Sequence, residues 1–226
     1  MTYQLSVISY LLQISDVLAQ VIGGKMLQRS YTLWAPFYNT MVAAPTRLAR
    51  QRSLAQLGQL QPDWWVLLCG IGTGLDIPYL QQGCHYVGID ITWAMLKQAQ
   101  RAINAQDNIF LHQGDVMQLP YPDHCFQIVI LHLILTVVPQ PQVALNEATR
   151  VLKPGGKILL LDKFLQPQQW APLRCWLSPW LGKIATRTDV VFEELSHPNL
   201  IVLNNSPALA RGWFRQILLY KPLELR

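Results

Sequence analysis

Five residues, Gly70-Ile71-Gly72-Thr73-Gly74, follow the apolar run Trp64–Cys69. Glycines at that spacing let the backbone turn sharply and come close to a ligand, and a following helix would offer its N-terminus. Asp90 lies twenty residues past Gly70, at the end of a second apolar run, where a carboxylate can accept hydrogen bonds from both hydroxyls of a ribose. The turn reads G-x-G-x-G and not the G-x-G-x-x-G of a dinucleotide fold. A second acid, Asp115 in Gly114-Asp-Val-Met117, follows a third apolar run. It can take a hydrogen bond from an adenine amino group while the next N–H, that of Val116, reaches a ring nitrogen. Ribose and adenine readers without a pyrophosphate loop point to a nucleoside-type cofactor.

His132, in Ile130-Leu-His-Leu-Ile134, is the imidazole best placed to remove a proton, because its pKa suits that task. The competing reading is a hydrogen-bonded core histidine. Asp162 ends another apolar run at the same expected edge, with Lys163 beside it as a partner. His85, His112, His124 and His197 read as structural or solvent-facing.

These residues need a frame. Apolar runs at 64–69, 85–90, 108–113, 125–133 and 157–164 predict five strands, with helices at about 75–82, 92–104 and 140–152 between them. Thr92 is a candidate N-cap, and Lys153-Pro-Gly-Gly156 a turn. Strands joined by helical crossovers mean a parallel, doubly wound α/β sheet. A helical stretch near 172–196 leads to strands at 199–205 and 213–221, and the connection 206–212 suits an antiparallel pair. In such a sheet, ligands bind beyond the carboxyl ends of the strands.

Upstream, Leu5–Ile22 is helical by period, with Ser6, Ser9, Gln13, Asp16 and Gln20 forming a polar stripe. An aromatic cluster, Tyr31 to Tyr38, follows it. Pro45 opens a further helix to about Leu60 that carries Arg47, Arg50 and Arg52. The expected division is an N-terminal helical extension or lid over 1–60 and a single domain over 61–226, without repeats.

Of 226 residues, 51% are hydrophobic and 14% charged, which excludes a disordered chain. A mean hydropathy of +0.18 raises the question of a membrane. Gln13, Asp16 and Gln20 exclude Leu5–Ile22 as a span, and no basic flank or cleavage site marks it as a signal peptide. The four cysteines show no C-x-x-C pairing and read as reduced core residues, with no metal site. A net charge of +5 is too slight for a dedicated nucleic-acid binder.

Taken in order and spacing, VLLCGIGTG, HYVGIDITWAML, GDVMQLPYPDHCF and EATRVLKPGGKILLLD resemble the class I S-adenosylmethionine-dependent methyltransferases. The strings YTLWAPFY, GTGLDIPYL, LILTVVPQP and DKF look most like the bacterial phosphatidylethanolamine N-methyltransferases and the quinone-biosynthesis (type 11) methyltransferases. The resemblance implies a Rossmann-like seven-stranded sheet ordered 3-2-1-4-5-7-6, last strand antiparallel, with methyl transfer at its carboxyl edge. It also implies S-adenosylmethionine as cofactor. The cofactor set is then Gly70, Gly72, Thr73, Gly74, Asp76, Asp90, Ile91, Met95, Gly114, Asp115, Val116 and Leu131. Catalysis falls to His132, Tyr31 and Tyr38, the tyrosines closing over cofactor and acceptor as matching residues do in relatives, or else anchoring the N-terminal helix.

The family's acid two residues before the first glycine is replaced by Leu68. Asp76 is placed either to compensate for it or simply to favour a helix start. The acceptor implied is small and apolar or amphipathic, a lipid or quinone-like molecule. Two other functions stay open: a cofactor-binding scaffold without turnover, and an NAD-dependent oxidoreductase, which would have no use for Asp115. Charge divides as +4 over 1–60, −3 over 61–162 and +4 over 163–226. Basic flanks fit peripheral docking on an anionic membrane from the cytoplasmic side, or an acidic acceptor, better than nucleic acid.

Overall fold

The structure is a computed structural model and describes residues 46–104, 108–164, 190–209 and 212–223. The apolar runs form seven strands: β1 (Trp65–Cys69), β2 (His85–Asp90), β3 (Ile109–Gln113), β4 (Phe126–His132), β5 (Leu152–Lys163), β6 (Ile201–Leu209) and β7 (Phe214–Tyr220). They lie in one sheet, ordered β3-β2-β1-β4-β5-β7-β6, as expected. The first five are parallel, and β7 runs antiparallel to β5 and β6.

Among the described residues, three helices cover the two faces: α1 over 46–55, α2 (Trp93–Ala102) and α3 (Pro141–Val151). Ala144, Leu145, Ala148 and Val151 of α3 join one core cluster with Leu67, Val129 and Leu160. Leu54 and Leu57 beside α2's Leu96 and Ala99 join the other, with Val66, Leu68 and Ile130. Alternate residues of β1 and β4 thus serve opposite cores, which is why both strands are apolar almost throughout. Thr92 sits at the N-cap of α2 with extended backbone, and its side chain makes no capping bond.

Three elements differ from expectation. In place of a helix over 75–82 there is one 3-10 turn, Ile77–Tyr79, because Pro78 brings no N–H and the chain must reach β2 within a few residues. The Lys153–Gly156 stretch belongs to β5. Gly156 lies so close to β4 that a Cβ there would meet the Gln127 carbonyl oxygen at 2.7 Å. β6 runs on through Ser206 and Pro207, where a connection was expected; it is the edge strand, with register shifts that accommodate proline. The stretch near 172–196 lies outside the described residues up to 189, and beyond it a 3-10 turn spans Phe192–Glu194. The helix over Leu5–Ile22 also lies outside them.

Candidate active site

Parallel register brings the ends of β1, β2, β3 and β4 to one edge, with Cys69 opposite Ile89 and Leu131, and Asp90 opposite Gln113. Gly70, Gly72 and Gly74 in the turn after β1 all have positive φ: 67°, 56° and 82°. They do different work. A Cβ on Gly70 would lie 2.6 Å from Ile134 Cδ1, and one on Gly74 would lie 2.6 Å from Ile77 Cδ1 and 3.2 Å from the Ala99 Cα. A Cβ on Gly72 would meet nothing nearer than the Gly70 oxygen at 3.9 Å, so this glycine faces open space.

Asp90 anchors the turn. Its Oδ2 accepts the Gly72 N–H at 3.0 Å and its Oδ1 the Thr92 N–H at 2.8 Å. The Thr92 side chain also hydrogen-bonds this carboxylate, and of its four lone-pair sites one remains for a ligand hydroxyl. Burial pushes the Asp90 carboxyl up, and these N–H groups work against that rise. The Gly114 N–H donates to the Asp90 carbonyl at 3.0 Å, which sets the next acid alongside. Asp115 Oδ1 takes the Met117 N–H at 2.8 Å, and its carbonyl takes the Gln118 N–H at 3.1 Å. Among the described residues, the buried Val116 N–H between them has no hydrogen-bond partner. Thr73 is buried beside the turn and Ile91 is half-buried after β2, whereas Met95, Val116 and Leu131 turn their side chains into the core.

Asp76 and His132 meet, though 56 residues apart. The His132 Nδ1 is 3.0 Å from Asp76 Oδ1, and Arg50 Nη1 donates to Asp76 Oδ2 at 2.8 Å. The ring's other nitrogen, Nε2, lies 3.1 Å from the Ser53 hydroxyl, and Arg50 Nε donates to Thr46 Oγ1 at 3.1 Å. All five residues are buried. Burial alone would push the Asp76 carboxyl up, but the adjoining His132 ring and Arg50 guanidinium, with the hydrogen bonds they make, hold it well below the usual carboxylate range. Both Asp76 oxygens are therefore engaged by protein groups, and both His132 nitrogens are hydrogen-bonded. Leu68 lies on the same face, opposite Ile130.

Asp162, fully buried, takes the Thr136 hydroxyl at 2.6 Å, the Thr136 N–H at 3.1 Å and the Lys163 N–H at 2.8 Å. It holds the segment after β4, where Leu133 adopts a left-handed φ of 57°. The expected Lys163 contact is made by that residue's backbone. Tyr31 and Tyr38 lie outside the described residues. A cleft of about 570 Å³, bordered by Asp123, His124, Gln142, Arg150 and Lys221, opens at the opposite edge. The Lys221 ammonium there is spent on the Thr149 and Leu152 carbonyls, and Arg150 on Glu147 and Asp123.

Residues 67–160 match the family model described as methyltransferase domain. They are a methyltransferase domain. The phosphatidylethanolamine N-methyltransferase of Cereibacter sphaeroides is 26% identical over 193 residues, 83% of this chain and 94% of that protein. The demethylmenaquinone methyltransferase of Lactobacillus johnsonii is 36% identical over 143 residues, so the chain spans 58% of that relative's length. In a solved complex between the Haloferax volcanii Trm112 methyltransferase activator and a putative methyltransferase, a chain shares the fold at a TM-score of 0.71. It is 17% identical, with 88% of this chain and 99% of that one covered. Domain, relatives and fold together indicate an S-adenosylmethionine-dependent methyltransferase.

Three residues that the structure brings to Asp76 and His132 were not singled out from sequence for that place: Thr46, Ser53 and Arg50, the last noted only as a helix charge. A signal did exist. Thr46, Ala49, Arg50, Ser53, Leu54 and Leu57 recur at helical spacing, and the first five are the buried face of α1.

Proposed function

We propose that the protein transfers the methyl group of S-adenosylmethionine to a small apolar or amphipathic acceptor, a lipid or a prenylated quinone-like molecule. The observation that carries the cofactor half is the open Gly72 backbone wired to Asp90, beside Asp115 and the unpartnered Val116 N–H. In this reading, Asp90 accepts a ribose hydroxyl, Gly72 lets the backbone approach, and Asp115 with Val116 reads the adenine edge. Bound there, the cofactor supplies a methyl group already activated on a sulfonium. The chain's task is to place a nucleophile in line and exclude water. With both ring nitrogens engaged, His132 takes a proton from an acceptor only if its bond to Ser53 yields. Tyr31 and Tyr38 are assigned to closing over the acceptor. The acceptor class is supported by the names of the two relatives and by the apolar segment Leu133–Val138.

Leu68, apolar where an acid would face the cofactor's amino-acid end, favours a second reading, a cofactor-binding scaffold without turnover. Two measurements separate the readings. A native-state ligand at a hundred times its Kd adds about 2.7 kcal/mol, so S-adenosylmethionine and S-adenosylhomocysteine should raise the melting temperature while NAD does not. Incubation with methyl-labelled cofactor and total lipid extract should then yield a labelled product. No shift with either adenosyl compound removes both readings; a shift without any labelled product leaves the scaffold.

We also place the protein in the cytoplasm, peripheral to an anionic membrane. Among the described residues, no helix is long and apolar enough to cross a membrane. Arg47 and Arg52 on α1 are exposed, whereas Arg50 and Arg215 are committed to Asp76 and Glu193.

A further inference from the structure

The contacts among Arg50, Asp76, His132 and Ser53 close into a ring. It starts at Arg50 on α1, crosses at 2.8 Å to Asp76 just after the glycine turn, and continues at 3.0 Å to His132 at the end of β4. It returns at 3.1 Å to Ser53 on α1, one helical turn from its start. A carboxylate can only accept, so in a neutral ring the proton sits on His132 Nδ1, and Nε2 accepts from the Ser53 hydroxyl. Every bond then has a donor and an acceptor, and the Arg50 and Asp76 charges cancel.

The buried stripe of α1 carries three polar side chains, Thr46, Arg50 and Ser53, alongside the apolar Ala49 and Leu54, and the apolar burial continues past the helix at Leu57. α1 precedes β1, and its polar residues Arg50 and Ser53 meet Asp76 and His132 at the carboxyl edge. Such a stripe is not explained by stability, since replacing a buried ion pair by apolar groups of similar volume is often neutral or favourable. What the ring does supply is a tie. Beyond the β1–β4 pairing, the segment after the glycine turn and the end of β4 are both fastened to one turn of helix.

We propose that Arg50 and Ser53 are positioning residues for the cofactor, acting through Asp76 and His132 to hold those two segments at their binding distance. This rests on the cofactor reading above. Neither residue needs to touch the ligand, in keeping with the burial of both.

The probe is S-adenosylhomocysteine, titrated calorimetrically into wild-type, Ser53→Ala, Arg50→Met and Arg50→Lys protein, at a temperature where ligand-free unfolding curves show all to be folded. Ser53→Ala and Arg50→Met should each weaken binding at least tenfold, with Arg50→Lys recovering part of the loss. The double variant Ser53→Ala/Arg50→Met should be little weaker than either single one, because a ring broken once is already open. Nitrogen-15 spectra should show the His132 ring leaving the Nδ1–H tautomer state in Arg50→Met. Affinity within threefold of wild type in both Ser53→Ala and Arg50→Met, with or without a lower melting temperature, overturns the proposal. If Arg50→Met does not fold, Ser53→Ala, which removes one oxygen, decides alone. Wild-type protein that binds no S-adenosylhomocysteine removes the cofactor reading and this inference with it, whereas tight wild-type binding with indifferent variants removes only the inference.

Discussion

Asp90 Oδ2 accepts the Gly72 N–H at 3.0 Å, so the acid that ends β2 is tied to the middle glycine of the turn that follows β1. The pair is one unit: the carboxylate fixes the turn, and in the proposed function it also accepts from the cofactor. Asp90→Ala removes two backbone hydrogen bonds to a charged acceptor, together about 3–6 kcal/mol. S-adenosylhomocysteine affinity should fall by more than a hundredfold in a calorimetric titration. Asp90→Asn should retain the fold and still lose most of that affinity.

Gly72 and Gly74 should separate binding from folding. At Gly74, a φ of 82° and the Ile77 and Ala99 contacts oppose any side chain, so Gly74→Ala should cost about 2–4 kcal/mol in a denaturant melt. Gly72→Ala carries only the left-handed backbone cost, about 1–2 kcal/mol. It should fold, and bind S-adenosylhomocysteine poorly, because its methyl group would occupy the open space.

Acid should expose the Asp76 pairing. The Asp76 carboxyl is lowered on folding, so its contribution is complete above about pH 4 and is lost as pH falls further toward the folded value. Asp90 and Asp162 are raised by burial, so their part runs the other way, stability falling as pH rises from about 4 through their folded values. Urea melts from pH 2 to 7 should show Asp76→Asn less stable than wild type near neutrality, the gap narrowing in strong acid. Asp76→Ala leaves Arg50 buried without its partner and should cost about 3–5 kcal/mol at pH 7.

The Asp162–Thr136 contact predicts a loop effect. Thr136→Val removes a 2.6 Å bond to a buried carboxylate, a loss of about 1.5–3 kcal/mol. Amide exchange in the segment 133–140 should accelerate, and burial with fewer donors should raise the Asp162 carboxyl further.

Vesicle binding tests the basic flanks. Sedimentation with vesicles containing anionic lipid should exceed that with neutral ones at low salt and decline as salt is added. Equal binding to both would leave these cations as solvated surface.

Much of the frame was legible because apolar runs of strand length, separated by turn signals, admit few arrangements. β1 to β4 fall within a residue or two of the expected runs. β5 and β6 were harder, since whether Lys153–Gly156 turns or bulges depends on how closely Gln127 approaches, and whether Pro207 is tolerated depends on its strand being at the edge. The glycine turn and Asp90 were legible as parts of one site by spacing and by the strand between them, whereas the bond from Gly72 to Asp90 was not. The engagement of Asp76 by Arg50 and His132 was not, because its partners come from segments 26 and 56 residues away.

The order of glycines and acids along the chain determined what kind of ligand the edge can receive, since backbone freedom and lone pairs are properties of residue types. Which glycine faces open space and which two lie against neighbouring side chains was decided by what folding brings to each Cβ position. So was the fate of His132: an imidazole's chemistry is intrinsic, but whether its nitrogens are free or spent depends on groups that only the tertiary structure places within 3.1 Å.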